Sequence, residues 1–390
     1  MMLLRLAWRN LLGAGLRTWL NVLVLSLSFV AIIAMQGLLQ GMNDQVAQAM
    51  IDTEYGGGQY WHAAYDPYDP LTLRDAHGRL TPGLVALVER GEATPVLILQ
   101  GSLYVRGRVR PVLIKGIDPG QTLLRFPSSL MTAPAGMIPA LSGARMGKNA
   151  GMAKGDEVTL QWRDARGTFD ARDVQIAAIF STSVQSVDNN QIWVPIDTLR
   201  RLSRMEGEAT LVVLAPGRAA FPVDEIWRFR DLDFLLTDIR EVVKSKSVGS
   251  SVVYMILLLL AMLAIFDTQV LSVWRRRKEI GMLMALGMTR GKVIRLFTLE
   301  GAAHGILAGL VAAAYGLPLL GTLARGGWEL PAVTESYGFA VGERLFPVFT
   351  LGLVAGTILL VLTVTTIVSF IPVRRIAKLK PTDALRGKFT

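Results

Sequence analysis

The sequence predicts an α-helical membrane protein with four transmembrane helices and a mixed α/β extracytoplasmic domain inserted between spans 1 and 2. Three observations carry this expectation. Four stretches are long, apolar and almost free of charge; the basic residues gather in short segments beside them; and the long interval between the first two alternates strand-like and helical patterns. The chain as a whole is apolar, with 51% hydrophobic and 18% charged residues among 390 and a mean hydropathy of +0.40, an excess that has to face lipid.

A helix needs about 20 apolar residues to cross a bilayer, and an unpaired charge at the centre is costly. Thr18 to Asn43, Gly301 to Ala324 and Leu345 to Val373 carry no charge, and Ser247 to Trp274 carries only Asp267. The expected spans are 18–43, 247–274, 297–320 and 346–373. Arg5, Arg9 and Arg17 before the first stretch would suit a secretory signal. The apolar run is too long for one and lacks a small-x-small cleavage site, which predicts a retained helix behind a cytoplasmic amphipathic N-terminal helix over 1–17.

Basic residues of short loops stay on the cytoplasmic side. They cluster at Arg5, Arg9 and Arg17; at Arg275, Arg276, Arg277, Lys278, Arg290, Lys292 and Arg295; and at Arg374, Arg375, Lys378, Lys380, Arg386 and Lys388, opposed there only by Glu279 and Asp383. Outside these segments the chain is net acidic, although its total is +10. Both termini, the 275–296 loop and the 374–390 tail are therefore expected in the cytoplasm, with 44–246 and the short loop 321–345 on the far side. A net positive excess located in the lipid-flanking segments argues against a nucleic-acid partner and for anionic lipid headgroups.

In the exterior domain, strands are expected at Val96 to Val105, Val109 to Ile117, Glu157 to Trp162, Val174 to Phe180, Gln191 to Val194 and Ala209 to Leu214. Pro82 and Pro195 are expected as first residues of helices, and Phe126 to Gly151 as loop. Met42, Val46, Ala49 and Met50 fall on one helical face, as do Leu235, Ile239, Val242 and Val243, which predicts stalks extending spans 1 and 2. A groove between these stalks is the expected place for an acyl chain, with Met42, Val46 and Met50 as adaptable contacts.

Catalytic and metal chemistry find little footing. Cysteine is absent, and His62, His77 and His304 show no ligand spacing. The nearest approach to a phosphate loop, Gly143-Ala-Arg-Met-Gly-Lys-Asn149, fails in spacing and in its last residue. The expectation is no catalytic site, no metal and no cofactor bound by this chain.

The 275–296 loop holds a short amphipathic helix with Ile280, Leu283, Met284 and Leu286 beside charge and Gly287 at its end. Too short to fold alone, it needs a docking surface. Here the sequence resembles the MacB/FtsX superfamily of ABC-transporter permeases. The resemblance rests on Lys278-Glu279-Ile280-Gly281, Leu283, Ala285-Leu286-Gly287, Thr289-Arg290 and Leu299-Glu300-Gly301. The tail adds Pro372-Val373-Arg374-Arg375-Ile376-Ala377 and Leu379-Lys380-Pro381-Thr382-Asp383-Ala384-Leu385-Arg386. Exterior matches are Gly155-Asp156, Ser186-Val187-Asp188, Ile192-Trp193-Val194-Pro195 and Leu199.

The resemblance implies a coupling helix at Glu279, Ile280, Gly281, Leu283, Ala285, Leu286 and Gly287, seated on a separate ABC ATPase present in two copies that binds ATP and Mg. It also implies a second permease, identical or related, a periplasmic carrier or adaptor as a further candidate partner, and residence in a bacterial inner membrane. The implied function is to pass ATPase motion to the periplasmic domain and so extract or export a lipoprotein, lipid or other amphiphile. Tripartite efflux and a signalling scaffold acting on a periplasmic partner are the alternatives. Length and the Gly56-Gly57-Gly58-Gln59 segment favour the lipoprotein-releasing members. Within the spans, Asp267 is expected to hydrogen-bond a neighbouring span or serve a dimer or gating contact. Glu300 and His304 share one face, and Gly301, Gly305 and Gly309 form a stripe for close helix packing.

Overall fold

The structure is a computed structural model that describes residues 16–182, 185–218, 220–221, 224–329 and 344–376. In chain order its elements are α1 (Leu16–Met50), β1 (Gln59–His62), β2 (Gly78–Arg79), α2 (Pro82–Glu89), β3 (Ala93–Val105), β4 (Arg108–Ile117), β5 (Ile138–Gly143), α3 (Ala144–Ala150), β6 (Glu157–Arg163), β7 (Phe169–Phe180), α4 (Gln185–Asp188), β8 (Gln191–Pro195), α5 (Ile196–Ser203), β9 (Glu208–Ala209) and β10 (Leu211–Leu214). They continue with β11 (Trp227–Arg230), α6 (Leu232–Leu235), α7 (Thr237–Arg275), α8 (Arg277–Ala285), α9 (Arg290–Gly326), β12 (Trp328–Glu329), β13 (Arg344–Leu345) and α10 (Leu351–Ile376). Among the described residues two units form, one of 43–242 and one of 16–42, 243–329 and 344–376.

In the exterior unit, nine strands form one sheet in the order β11-β1-β10-β3-β4-β8-β5-β7-β6, and β6 also pairs with β3. That last pairing joins six strands, from β3 through β6, into a closed ring. The odd residues of β3 and the even residues of β6 point inward, so Leu97, Leu99, Leu103, Leu160 and Trp162 fill the ring with Ile114, Ile176 and Ile192. Gly101 of β3 sits where a Cβ would lie 2.5 Å from Ile114 Cδ1 and 2.6 Å from the Gln161 carbonyl oxygen, which is why the strands can close there. The outer face carries Val96, Ile98, Trp193 and Val213, which pack with Met50 of α1.

Several expectations are corrected. The stretch 126–151 is not loop throughout: β5 lies between β7 and β8, and Ala140 and Leu141 are fully buried. Its Pro and Gly content reads as turn, but burial inside a sheet overrides local composition. Pro195 ends β8 and caps α5 instead of opening it, whereas Pro82 does open α2. Leu235 belongs to the separate turn α6, so the second stalk begins at Thr237.

In the other unit, α1, α9 and α10 are long and apolar enough to cross a membrane. Trp19, Leu23, Leu27, Leu310, Leu317, Leu359 and Ile367 are exposed, a surface that only lipid or another apolar partner covers well. The expected span 247–274 lies in α7, a helix of 39 residues; many of its side chains are outside the described residues.

The last span starts later than expected, at Leu351, because residues 346–349 run beside α1. The Val348 N–H donates to the Gly37 carbonyl at 2.9 Å. A Cβ on Gly37 would lie 2.2 Å from Phe349 Cε1, and one on Gly41 2.0 Å from the Phe346 carbonyl oxygen. These two glycines, four apart on one face of α1, admit the segment. Gly41→Val is expected to lower stability by about 1–3 kcal/mol through overpacking. Gly356→Ala, in α10 with open space at its Cβ, is expected to leave stability unchanged or raise it. Thermal unfolding in detergent followed by tryptophan fluorescence checks both.

Candidate functional site

The loop helix α8 is set off from α7 by one residue, Arg276, whose φ of −93° and ψ of 12° break the helix. Ile280 is 2% exposed and packs with Val293 and Phe297 of α9 and Val373 of α10. Gly281 is buried beside it. On the opposite side Met282 and Leu286 are 53% and 79% exposed. Glu279, Ala285 and Gly287 are exposed as well. The expected apolar face is therefore split, with Ile280 and Met284 turned to the spans and Leu286 turned away. The Leu283 side chain lies outside the described residues. Gly287 has a φ of +95°, a conformation that favours glycine and turns the chain sharply into α9.

Arg276 is the side chain that sequence reasoning missed. Its Nε donates to Glu279 Oε2 at 2.9 Å, and its Nη1 to Glu300 Oε2 at 2.9 Å and Oε1 at 3.2 Å. The guanidinium carbon also stands 5.0 Å from the centre of the Phe297 ring. Within a run of three arginines nothing in the sequence marks one as different; the only hint was a carboxylate, Glu300, at the edge of an apolar span.

Glu300 and His304, expected on one face, meet through the backbone and not through the carboxylate. His304 Nδ1 lies 2.8 Å from the backbone carbonyl oxygen of Glu300, while the carboxylate is given to Arg276. The glycine stripe divides too. Gly305 has Leu362 Cδ2 3.0 Å from its Cβ position, but Gly309 meets nothing. With Gly316 and Gly321 it lines an apolar cavity of about 250 Å³ walled by Phe29, Ile33 and Phe349. Gly301 is buried. Asp267 is exposed on α7, and among the described residues no hydrogen bond to a neighbouring span accompanies it.

In the exterior unit the site of interest is the base of α1. The helix widens into a π-turn at Ile51–Tyr55 and is followed by Gly56, Gly57 and Gly58. Gly56 has a φ of +55°, and a Cβ on Gly57 would lie 2.2 Å from the Ala215 carbonyl oxygen, so this turn tolerates little else. The π-turn directs Glu54 at Lys115 of β4, whose Nζ is 2.5 Å from Glu54 Oε1 and 5.0 Å from the Trp193 ring centre. Asp52 accepts from Arg125 Nη1 at 3.0 Å and from Gln48 Nε2 at 2.7 Å. Burial, then the neighbouring Glu54 carboxylate, pushes the Tyr55 and Tyr65 phenols well above their ordinary pKa.

Of the expected groove contacts, Met42 and Met50 are covered, at 7% and 8% exposed, and Val46 is half-buried. Ile239 is half-buried against the exterior core, and the side chains of Val242 and Val243 lie outside the described residues.

A multi-pass helical unit carrying a β-rich exterior unit between its first two long helices defines a class of membrane permease. Residues 18–225 match the MacB-like periplasmic core domain and residues 251–381 the FtsX-like permease C-terminal domain. The chain belongs to the MacB/FtsX superfamily of ABC-transporter permeases.

The chain is 22% identical over 332 residues to the lipoprotein-releasing system transmembrane protein LolC of Neisseria meningitidis, covering 75% of this chain and 77% of that protein. It is 26% identical over 220 residues to an uncharacterised ABC transporter permease of Methanocaldococcus jannaschii, spanning 52% of each. To the macrolide export ATP-binding/permease protein MacB of Wolinella succinogenes it is 26% identical over 204 residues, half of this chain and 27% of that protein. The periplasmic region of MacB from Actinobacillus actinomycetemcomitans aligns with a TM-score of 0.32 at 12% identity, over 47% of this chain and 92% of that one.

Removing the Lys115 charge strands Glu54 in a largely buried position. Lys115→Met is expected to destabilise the full chain by about 3 kcal/mol, and Lys115→Met with Glu54→Gln by clearly less. Denaturant titration of the purified full-length protein measures the difference.

Proposed function

We propose that this chain is the permease subunit of an ATP-driven complex and passes the motion of a separate ABC ATPase to its exterior domain, so that a lipoprotein, lipid or other amphiphile is extracted from the outer face of the inner membrane. The observation that carries the reading is the division of α8. Ile280 is seated on the spans, while Met282 and Leu286 are presented outward at the end of a helix of nine residues. A helix this short gains its place from packing, and apolar side chains at its free tip suit a protein partner. ATP and Mg would be bound by that partner, in two copies beside two permeases.

The lipoprotein branch is favoured over efflux and signalling by the extent of the likeness to LolC, which runs through both units. The energy scale is compatible. Withdrawing an acyl chain from a bilayer requires about 0.8 kcal/mol per methylene, within reach of one or two ATP turnovers. In this reading, α7 supplies the fourth span and both termini are cytoplasmic.

Two experiments test the scheme. The sequence has no cysteine, so Leu130→Cys and Leu286→Cys, both at exposed side chains, are unique labels. An impermeant thiol reagent added to intact spheroplasts is expected to modify the first and spare the second; the reverse pattern removes the topology. Leu286→Asp is expected to abolish co-purification of the ATPase or reduce its stimulated turnover about tenfold, since a charge is placed in an apolar contact. Unchanged stimulation by the assembled variant overturns the docking face.

A further inference from the structure

We propose that Arg276 is a positioning residue that locks α8 to α9, so that a displacement of the loop helix reaches the span as a rigid movement; this rests on reading α8 as the ATPase-docking helix. A joint of one residue between α7 and α8 is a hinge unless something pins it. The apolar seat of α8 cannot do so alone. Ile280, Val293, Phe297 and Val373 make contacts without direction, and such contacts permit sliding and rotation.

Arg276 supplies the missing direction in three ways. Its Nε is held by Glu279 within α8, its Nη1 by both oxygens of Glu300 on α9, and its guanidinium carbon stands over the Phe297 ring of α9. Together these fix both the position and the plane of the guanidinium. A lysine would present a point charge and could not meet all three. Glu300 is the anchor on the span: its side chain is 7% exposed, so losing the cation leaves a buried, unpaired carboxylate. The neighbouring Arg275 and Lys278 are exposed and do not serve it.

The arrangement also divides one cation between two carboxylates of different standing. Glu300 is buried on the span, whereas the Glu279 side chain is 56% exposed, on the helix that would meet the ATPase. A cationic group arriving at Glu279 from outside leaves Arg276 to Glu300 alone and tightens the hold on the span.

Because the chain has no native cysteine, spin labels at Lys278→Cys on α8, outside the proposed docking contact, and at Ile306→Cys on α9, both exposed, report the placement of one helix on the other. Pulsed electron–electron double resonance on the purified full chain in lipid nanodiscs is expected to give one narrow distance distribution. Arg276→Lys and Arg276→Met are expected to broaden it about twofold, and the exchange Arg276→Glu with Glu300→Arg to narrow it again. If Arg276→Met fails to fold, Arg276→Met with Glu300→Gln leaves no unpaired buried charge and is expected to fold with the broad distribution. An unchanged width in Arg276→Lys and in that double variant overturns the lock.

Assembly with the ATPase supplies the second arm. A non-hydrolysable ATP analogue is expected to leave the wild-type distance in place and to shift it in Arg276→Lys while the ATPase still co-purifies. A nucleotide-dependent shift in the wild type overturns rigid transmission. Failure of the wild-type chain to bind the ATPase overturns the docking reading and leaves the nanodisc result for the lock standing.

Discussion

Thirteen residues of β3 hold hydrogen bonds to three other strands, and the exterior unit depends on how they are shared. One edge pairs with β4 from Leu97 to Val105; the other pairs first with β10 and then with β6. The first half of the strand thus belongs to the open part of the sheet and the second to the closed ring. Its two faces are allotted with the same economy, odd residues to the ring interior and even residues to the layer that receives Met50. A slip of one residue would exchange the two sets and empty both cores.

The parts of this fold that could be read from the sequence are those whose signal is local. Uncharged runs marked α1, α9 and α10, because lipid demands continuous apolarity and complete backbone pairing. Alternating patterns marked β3, β4 and β6. Hidden from view were features decided by distant neighbours. β5, written Ile-Pro-Ala-Leu-Ser-Gly, has the composition of a loop and becomes a strand through β7 and β8 on either side. Gly37 and Gly41 resembled ordinary span residues until Phe346 and Phe349 came to lie against them.

The candidate site divides along the same line. The loop helix was legible because a short amphipathic segment between basic flanks is a pattern of adjacent residues, and its likeness to a permease family is carried by consecutive positions. The ion pair of Arg276 with Glu300 was not, since 24 positions separate the two and only the return of the chain as α9 brings them together. Lys115 and Glu54 are further apart still. In both cases a cation that would be dismissed as surface charge is tied to a carboxylate beside an aromatic ring. Both pairs stand at places where a short or irregular piece of helix would otherwise be free to pivot.

The closed ring has a mechanical consequence. In an open sheet a pull on an edge strand breaks its hydrogen bonds singly, as a zip opens. Within the ring every strand has neighbours on both edges, and the β4–β8 and β5–β7 pairs run parallel. A tug along any of these strands loads a whole row of bonds in shear, and they must yield together. With no disulfide available to brace it, such a ring resists deformation through its topology alone.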